Sequence, residues 1–133
     1  LKRWAAYLNS PIIFEPKNFP STAPISSQVI TAARLNGDDA LMLSNAILAA
    51  LWEDDRNIDD PAVVAQVCDA CGLDGRALTA QAETDLVNAQ MEADTEQALA
   101  AGVFGAPSYV IDGEIFWGQD RVDFVARKLA VTL

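Results

Sequence analysis

Residues 102–121 read GVFGAPSYVIDGEIFWGQDR and indicate the fold more clearly than any other part of the chain. Two short apolar runs flank Asp112 and Gly113, a dipeptide typical of a two-residue hairpin turn. Pro107 stands just before the first run, where its missing N–H removes no hydrogen bond from a strand ladder. Directly after the second run, a helix opens at Gly118. The stretch therefore predicts two antiparallel strands that follow Pro107 and a terminal helix after them.

The remainder of the chain shows no further convincing strand and predicts helix after helix. Ser26 or Ser27 can cap the second helix, while Asp39 or its neighbour Asp38 caps the third, and Asp60 followed by a proline opens the fourth. The third helix is apolar on nearly every side, so we expect it to be buried at the centre. The predicted helices cover residues 2–8, 26–35, 39–52, 61–71, a short segment after 75, and 84–101.

Composition excludes several classes of function. The chain has 133 residues, of which 51% are hydrophobic, so it is long and apolar enough for one folded domain. Its net charge of −10 argues against nonspecific binding to nucleic acid or to anionic membranes. No apolar stretch is long enough to span a bilayer. Because the sequence contains no histidine, a histidine-dependent triad and a histidine-containing zinc site are both impossible within these residues.

The two cysteines form a Cys-x-x-Cys motif that invites a redox or metal-binding interpretation. However, Cys68 and Cys71 continue the apolar face of a helix, and Gly72 follows as its C-terminal stop. Redox-active thiols of the thioredoxin type sit instead at a helix N-terminus, where the dipole stabilises the thiolate. We therefore expect both cysteines to be helix-face residues that form neither a disulfide nor a metal site.

The proline–hairpin–helix run resembles the C-terminal half of a thioredoxin-like domain. The pattern G-x-P, hairpin, W-G-x-D-R is closer still to the 2-hydroxychromene-2-carboxylate isomerases and the kappa-class glutathione transferases. The resemblance implies an α/β thioredoxin-like fold of the DsbA or kappa type with an all-helical insertion. Residues 1–24 would be a helix tail and joining loop, residues 25–101 the helical insertion, and residues 102–133 the C-terminal hairpin and helix.

A two-stranded hairpin is marginal by itself, so either a partner supplies more sheet or the chain is a piece of a longer protein. The first residue, Leu1, favours the second alternative. The family would place a βαβ unit with the catalytic serine before it. On this interpretation no residue of the present chain is catalytic, and the chain alone is expected to be inactive.

The resemblance also implies a glutathione site on the hairpin and the helix that follows it. Pro107 would carry a cis bond, so that the backbone groups of Ala106 turn outward to pair with the cysteinyl backbone. Asp120 would receive the γ-glutamyl ammonium, although helix capping explains an aspartate here equally well. The predicted glutathione-binding residues are Ala106, Pro107, Trp117, Gly118, Gln119 and Asp120. We expect Arg121 to be a structural partner of Asp120 or Glu114.

The loop at Lys17, Asn18 and Phe19 is the predicted place for the organic substrate. In the isomerases this stretch approaches the substrate, so Phe19 and Asn18 are assigned to it and Lys17 is a weaker candidate. Trp4 and Trp52 are expected in the core.

The resemblance thus implies a cytoplasmic, homodimeric, glutathione-dependent isomerase of a small aromatic keto acid. Bound glutathione would add reversibly to the conjugated system of this acid. Rotation about the bond that is then transiently single would give the other isomer. Two alternatives stay open, a DsbA-like oxidoreductase or kappa-class transferase, and a non-enzymatic helical interaction module.

Overall fold

The computed structural model describes residues 1–131 as helices followed by one hairpin and a terminal helix. The helices are α1 (Lys2–Leu8), α2 (Ile25–Asn36), α3 (Ala40–Trp52), α4 (Pro61–Ala70), α5 (Gly75–Ala82), α6 (Asp85–Ala100) and α7 (Val122–Leu129). The strands are β1 (Ser108–Ile111) and β2 (Glu114–Trp117), and a short 3-10 helix, Gln119–Arg121, precedes α7. Within residues 1–131, no helix is both long and apolar enough to cross a membrane.

The chain divides into two compact units, the first ending at Met91 and the second beginning at Glu92, so the boundary falls inside α6. The predicted division of the sequence at 24/25 and 101/102 stays a prediction. The core of the first unit is an apolar cluster from α2 to α6 that includes the fully buried side chains of Val29, Leu43 and Val64.

Aspartates cap α3 and α4, as the sequence predicts. The carboxylate of Asp39 accepts a hydrogen bond from the N–H of Met42, which confirms the predicted cap of α3. Asp60 caps α4 in the same way, through the N–H of Ala62. Each cap satisfies a backbone donor that the helix itself leaves unpaired.

The predicted cap of α2 is wrong. The helix begins one residue before Ser26, its N-cap position is Pro24, and Ser26 lies buried inside the first turn. A proline has a backbone already fixed near helical φ, so the helix can start there without a capping side chain. The serines are therefore the first turn of the helix rather than its boundary.

The predicted burial of α3 on all sides is also wrong. Leu43, Ile47 and Leu51 are buried, but Leu41 is 73% exposed and Leu48 is 50% exposed. Hydrophobic composition without periodicity does not show which face of a helix packs. Trp4, expected in the core, is likewise 40% exposed on α1.

Gly75, the first residue of α5, lies directly against α4. A Cβ atom placed on Gly75 would lie 2.1 Å from the carbonyl oxygen of Ala65 in α4. Since the obstructing atom belongs to the backbone, relief requires the two helices to move apart. The glycine is therefore a packing requirement of the first unit.

Replacing Gly75 by alanine should reduce the free energy of unfolding by about 1–3 kcal/mol, as expected for overpacking. Chemical unfolding followed by circular dichroism measures this difference. The matched control is Arg76→Ala at the next, exposed position, which should leave stability within about 0.5 kcal/mol of wild type. An unchanged midpoint for the Gly75 variant would contradict the close helix approach.

Candidate functional site

The hairpin predicted from Asp112 and Gly113 is confirmed. Both turn residues have positive φ, 51° and 79°, as a two-residue turn of type I′ requires. The strands pair in antiparallel register with Ser108 opposite Trp117. This register brings the end of β2 beside the segment that enters β1.

A groove forms at that end of the hairpin, with a volume of about 200 Å³. Its lining residues are Ala106, Pro107, Trp117, Gly118, Gln119, Asp120 and Arg121. All six residues assigned to glutathione from sequence thus line one groove, together with Arg121. Their roles in binding stay predictions.

Backbone contacts fix the two sides of the groove relative to each other. The N–H of Gly118 donates a 2.9 Å hydrogen bond to the carbonyl of Pro107. The Ala106–Pro107 peptide bond is cis, the isomer that the resemblance implies. The side chains of Ala106 and Pro107 are exposed, so this side of the groove is open to a ligand.

Trp117 forms one wall and is held by its neighbours. Its ring packs against Phe104 with centroids 5.2 Å apart. A Cβ on Gly105 would lie 2.8 Å from the indole Nε1, so only glycine leaves the ring in this position. Trp117 is still 53% exposed, which leaves apolar surface available to a ligand.

Asp120 provides the acidic group of the groove. Its carboxylate lies 3.2 Å from the guanidinium of Arg121, and its side chain is 47% exposed. Glu114, the other predicted partner of Arg121, pairs instead with Lys128. A Cβ on Gly118 would stand 2.5 Å from Asp120 Oδ1, so a residue with a side chain at this position would displace the carboxylate.

The helix after β2 begins later than predicted. The residues that were expected to open it form a single 3-10 turn, Gln119–Arg121, with Gly118 before it at φ 105°. The α-helix proper, α7, starts at Val122. Glycine tolerates this backbone conformation, which carries the chain sharply out of the strand.

The predicted substrate residues lie in the first unit, on the loop before α2. Phe19 is 54% exposed and its ring packs at 4.8 Å on Trp52, the last residue of α3. The Nδ2 group of Asn18 donates to the backbone carbonyl of Asp55. The Phe19–Pro20 peptide bond is cis, which our sequence analysis did not predict.

Trp52 is only partly buried, and it links Phe19 to an apolar groove that we did not predict. This groove has a volume of about 430 Å³. It is lined by Ser10, Ile12, Asn45, Leu48, Ala49, Trp52 and Glu53. The apolar residues on the outer side of α3, such as Leu48, could have indicated this groove. We interpreted them instead as part of a helix buried on all sides.

The cysteines lie where the helix pattern placed them. Cys68 is fully buried on the packed face of α4, and Cys71 is its C-cap residue; both thiols are free. Burial raises the pKa of the Cys68 thiol to about 11, with smaller contributions from Cys71 and Asp69. A thiol with this pKa is poorly suited to act as a nucleophile. In residues 1–131, no group of three or more metal-ligating side chains comes together.

Asp59 is the most strongly perturbed carboxylate of the described residues. Its hydrogen bond from the Ser21 hydroxyl, with help from the N–H of Thr22, lowers the pKa of Asp59 from 3.8 to about 2. Because these bonds favour the ionised carboxylate, Asp59 is protonated less readily in the folded state than in the unfolded state.

We expect the stabilisation by Asp59 to be complete above pH 3.8 and to disappear as the pH falls through about 2. The difference in melting temperature between wild type and Asp59→Asn should therefore be largest near neutral pH and shrink in acid. Thermal unfolding of both proteins over this range measures it. A difference that stays constant with pH would contradict this assignment.

The helices, the hairpin and the helix after it place the chain among thioredoxin-like proteins. More particularly, the chain belongs to the DSBA-like thioredoxin domain family, which it matches over residues 1–130. The fold class implied by the resemblance is thereby confirmed.

Similarity to named proteins points in the same direction. The chain is 30% identical over 130 residues to the 2-hydroxychromene-2-carboxylate isomerase of Sphingobium xenophagum, covering 97% of this chain and 64% of that protein. It is 26% identical over 122 residues to the isomerase of the same name from Pseudomonas sp. (strain C18), covering 92% and 56%. The chain therefore spans less than two thirds of the length of these relatives.

The solved structure of a selenomethionine 2-hydroxychromene-2-carboxylate isomerase shares this fold. It superposes with a TM-score of 0.76 at 21% identity. The match covers 97% of this chain and 62% of that structure.

Proposed function

We propose that the protein containing this chain is a glutathione-dependent isomerase of 2-hydroxychromene-2-carboxylate-type keto acids. The observation that carries the proposal is the groove at the end of the hairpin, which gathers Pro107, Trp117 and Asp120 at one place. The relatives named as isomerases support the reaction class, since the chain aligns with them along nearly its whole length.

The groove fits the polar end of glutathione. Asp120 offers an accessible carboxylate to an ammonium group, and Arg121 offers a cation to a carboxylate. Because Gly118 has no side chain, the Asp120 carboxylate can lie close against the backbone at the edge of the groove. Trp117 gives an exposed aromatic face against which an aliphatic stem can pack.

Bound glutathione would supply a thiolate that adds to the conjugated system of the keto acid and later leaves it. The residues of this chain would bind and orient the two molecules. Asp120 would hold the γ-glutamyl end, while Phe19 and Asn18 would contact the aromatic acid. The protein would act as a homodimer in the cytoplasm.

The test is an absorbance assay on the whole protein with 2-hydroxychromene-2-carboxylate as substrate. We expect isomerisation that requires glutathione and that saturates with both molecules. Activity that persists after glutathione is removed by dialysis would reject the cofactor, and no isomerisation at saturating glutathione would reject the reaction.

The second candidate is thiol–disulfide exchange, which membership of the DSBA-like family favours. The two cysteines of this chain are poorly suited to this reaction, because Cys68 is buried and the pKa of its thiol is about 11. Insulin reduction by wild type and by the Cys68→Ala, Cys71→Ala double variant tests this. Reduction by the wild type would favour the oxidoreductase, and its retention in the double variant would show that Cys68 and Cys71 take no part. Inactivity in both assays would favour an interaction module.

A further inference from the structure

The connection between α3 and α4 contacts the predicted substrate loop at two separate points. This connection covers residues 53–60, and the segment between α1 and α2 that carries the predicted loop covers residues 9–24. Both contacts use an aspartate of the connection, and both join positions about 37 residues apart in sequence. The two contacts stand on either side of Phe19.

Asp55 makes the first contact, with the residues before Phe19. Its carboxylate accepts a 2.7 Å hydrogen bond from the N–H of Lys17 and lies 3.4 Å from the Lys17 ammonium. Its backbone carbonyl accepts a 3.1 Å hydrogen bond from the side chain of Asn18. Asp55 has φ 54°, a conformation that aspartate adopts more readily than most residues and that aims these groups at the loop.

Asp59 makes the second contact, with the residues after Phe19. One carboxylate oxygen accepts the hydroxyl hydrogen bond of Ser21. The other accepts bonds from the N–H of Thr22 at 2.8 Å and from its hydroxyl at 3.1 Å. Three donors of the loop therefore converge on one carboxylate, which makes this the better defined of the two contacts.

Between the two contacts, the ring of Phe19 is held by packing against the first unit. Its ring packs on Trp52, which itself packs against the apolar core of the first unit. The ring nevertheless remains 54% exposed, so it is held in place with half of its surface open. An exposed aromatic that is fixed from both sides and from beneath is preorganised to contact a ligand.

We propose that Asp55 and Asp59 are positioning residues that hold Asn18 and Phe19 in the conformation that binds the aromatic acid. The inference rests on the proposed function and adds to it two residues that are assigned to neither ligand and that act through the loop. Their role is to reduce the conformational freedom of the loop before the acid arrives.

The test replaces Asp59 by alanine in the whole protein and measures both Michaelis constants. We expect the KM for the keto acid to rise by at least about five-fold, because the loop must be ordered on binding, with kcat and the KM for glutathione nearly unchanged. The matched control is Asp54→Ala, which removes an exposed aspartate from the same connection and should alter neither constant.

A second variant keeps the proposal testable if the first does not fold. Ser21→Ala combined with Thr22→Val leaves Asp59 in place and removes two of its three donors, so it should raise the same KM. A keto-acid KM within about two-fold of wild type in both variants would overturn the proposal, as would loss of folded protein in both. Absence of isomerisation in the wild type would instead reject the proposed function itself.

Discussion

Replacing Asp120 by asparagine should weaken glutathione binding by at least about ten-fold, or about 1.4 kcal/mol. The neutral amide cannot compensate an ammonium, and the guanidinium of Arg121, 3.2 Å from the carboxylate, would then repel that ammonium without an anion to offset it. If Asp120 serves only the helix start, the variant should lose at most about 1 kcal/mol of stability and bind normally. Calorimetric titration of glutathione into the whole protein measures the difference.

The matched control for this titration is Asp123→Asn. Asp123 is an exposed aspartate three positions later, in the first turn of α7, and it does not line the groove. Its replacement changes the net charge equally and should leave the dissociation constant nearly unchanged. Equal losses of affinity in the two variants would mean that general charge, rather than a contact at Asp120, attracts the ligand.

Replacing Leu43 by alanine should lower the free energy of unfolding by about 2–5 kcal/mol. The side chain is fully buried in the core of the first unit, where α2, α3 and α4 pack together. Its removal loses apolar burial and leaves a cavity that rigid helices close only in part. Denaturant unfolding, followed by helical circular dichroism, gives the value.

The control is Leu41→Ala, the same chemical change two residues earlier on the same helix. Leu41 is 73% exposed, so its truncation should change stability by no more than about 0.5 kcal/mol. Similar losses in both variants would support the burial of α3 on all sides that its composition predicted, and would contradict the orientation found in the structure.

Local chemistry made much of this fold predictable. The hairpin follows from Asp112 and Gly113, because a type I′ turn needs positive φ at two consecutive positions. The starts of α3 and α4 follow from Asp39 and Asp60, since an aspartate there pairs with a nearby backbone N–H. Such features depend on neighbours in sequence and can be deduced without the fold.

Features that depend on distant residues could not be deduced in this way. The side of α3 that carries Leu41 and Leu48 is exposed because of where the other helices lie, which composition does not show. The contacts of Asp55 and Asp59 with the loop before α2 join segments far apart in the chain. For the groove, the residues that the resemblance implies line one surface, and their roles in binding stay predictions. Sequence left Asp120 and Glu114 open as partners of Arg121, and the structure pairs Arg121 with Asp120.

An amide chemical-shift titration of the isotopically labelled whole protein with glutathione tests whether the hairpin groove is the cofactor site. We predict saturable shifts for the amides of Ala106, Gly118, Gln119 and Asp120 and for the indole N–H of Trp117, because these groups line one groove. Saturating glutathione that leaves all five signals unmoved would contradict the assignment of the hairpin groove as the cofactor site.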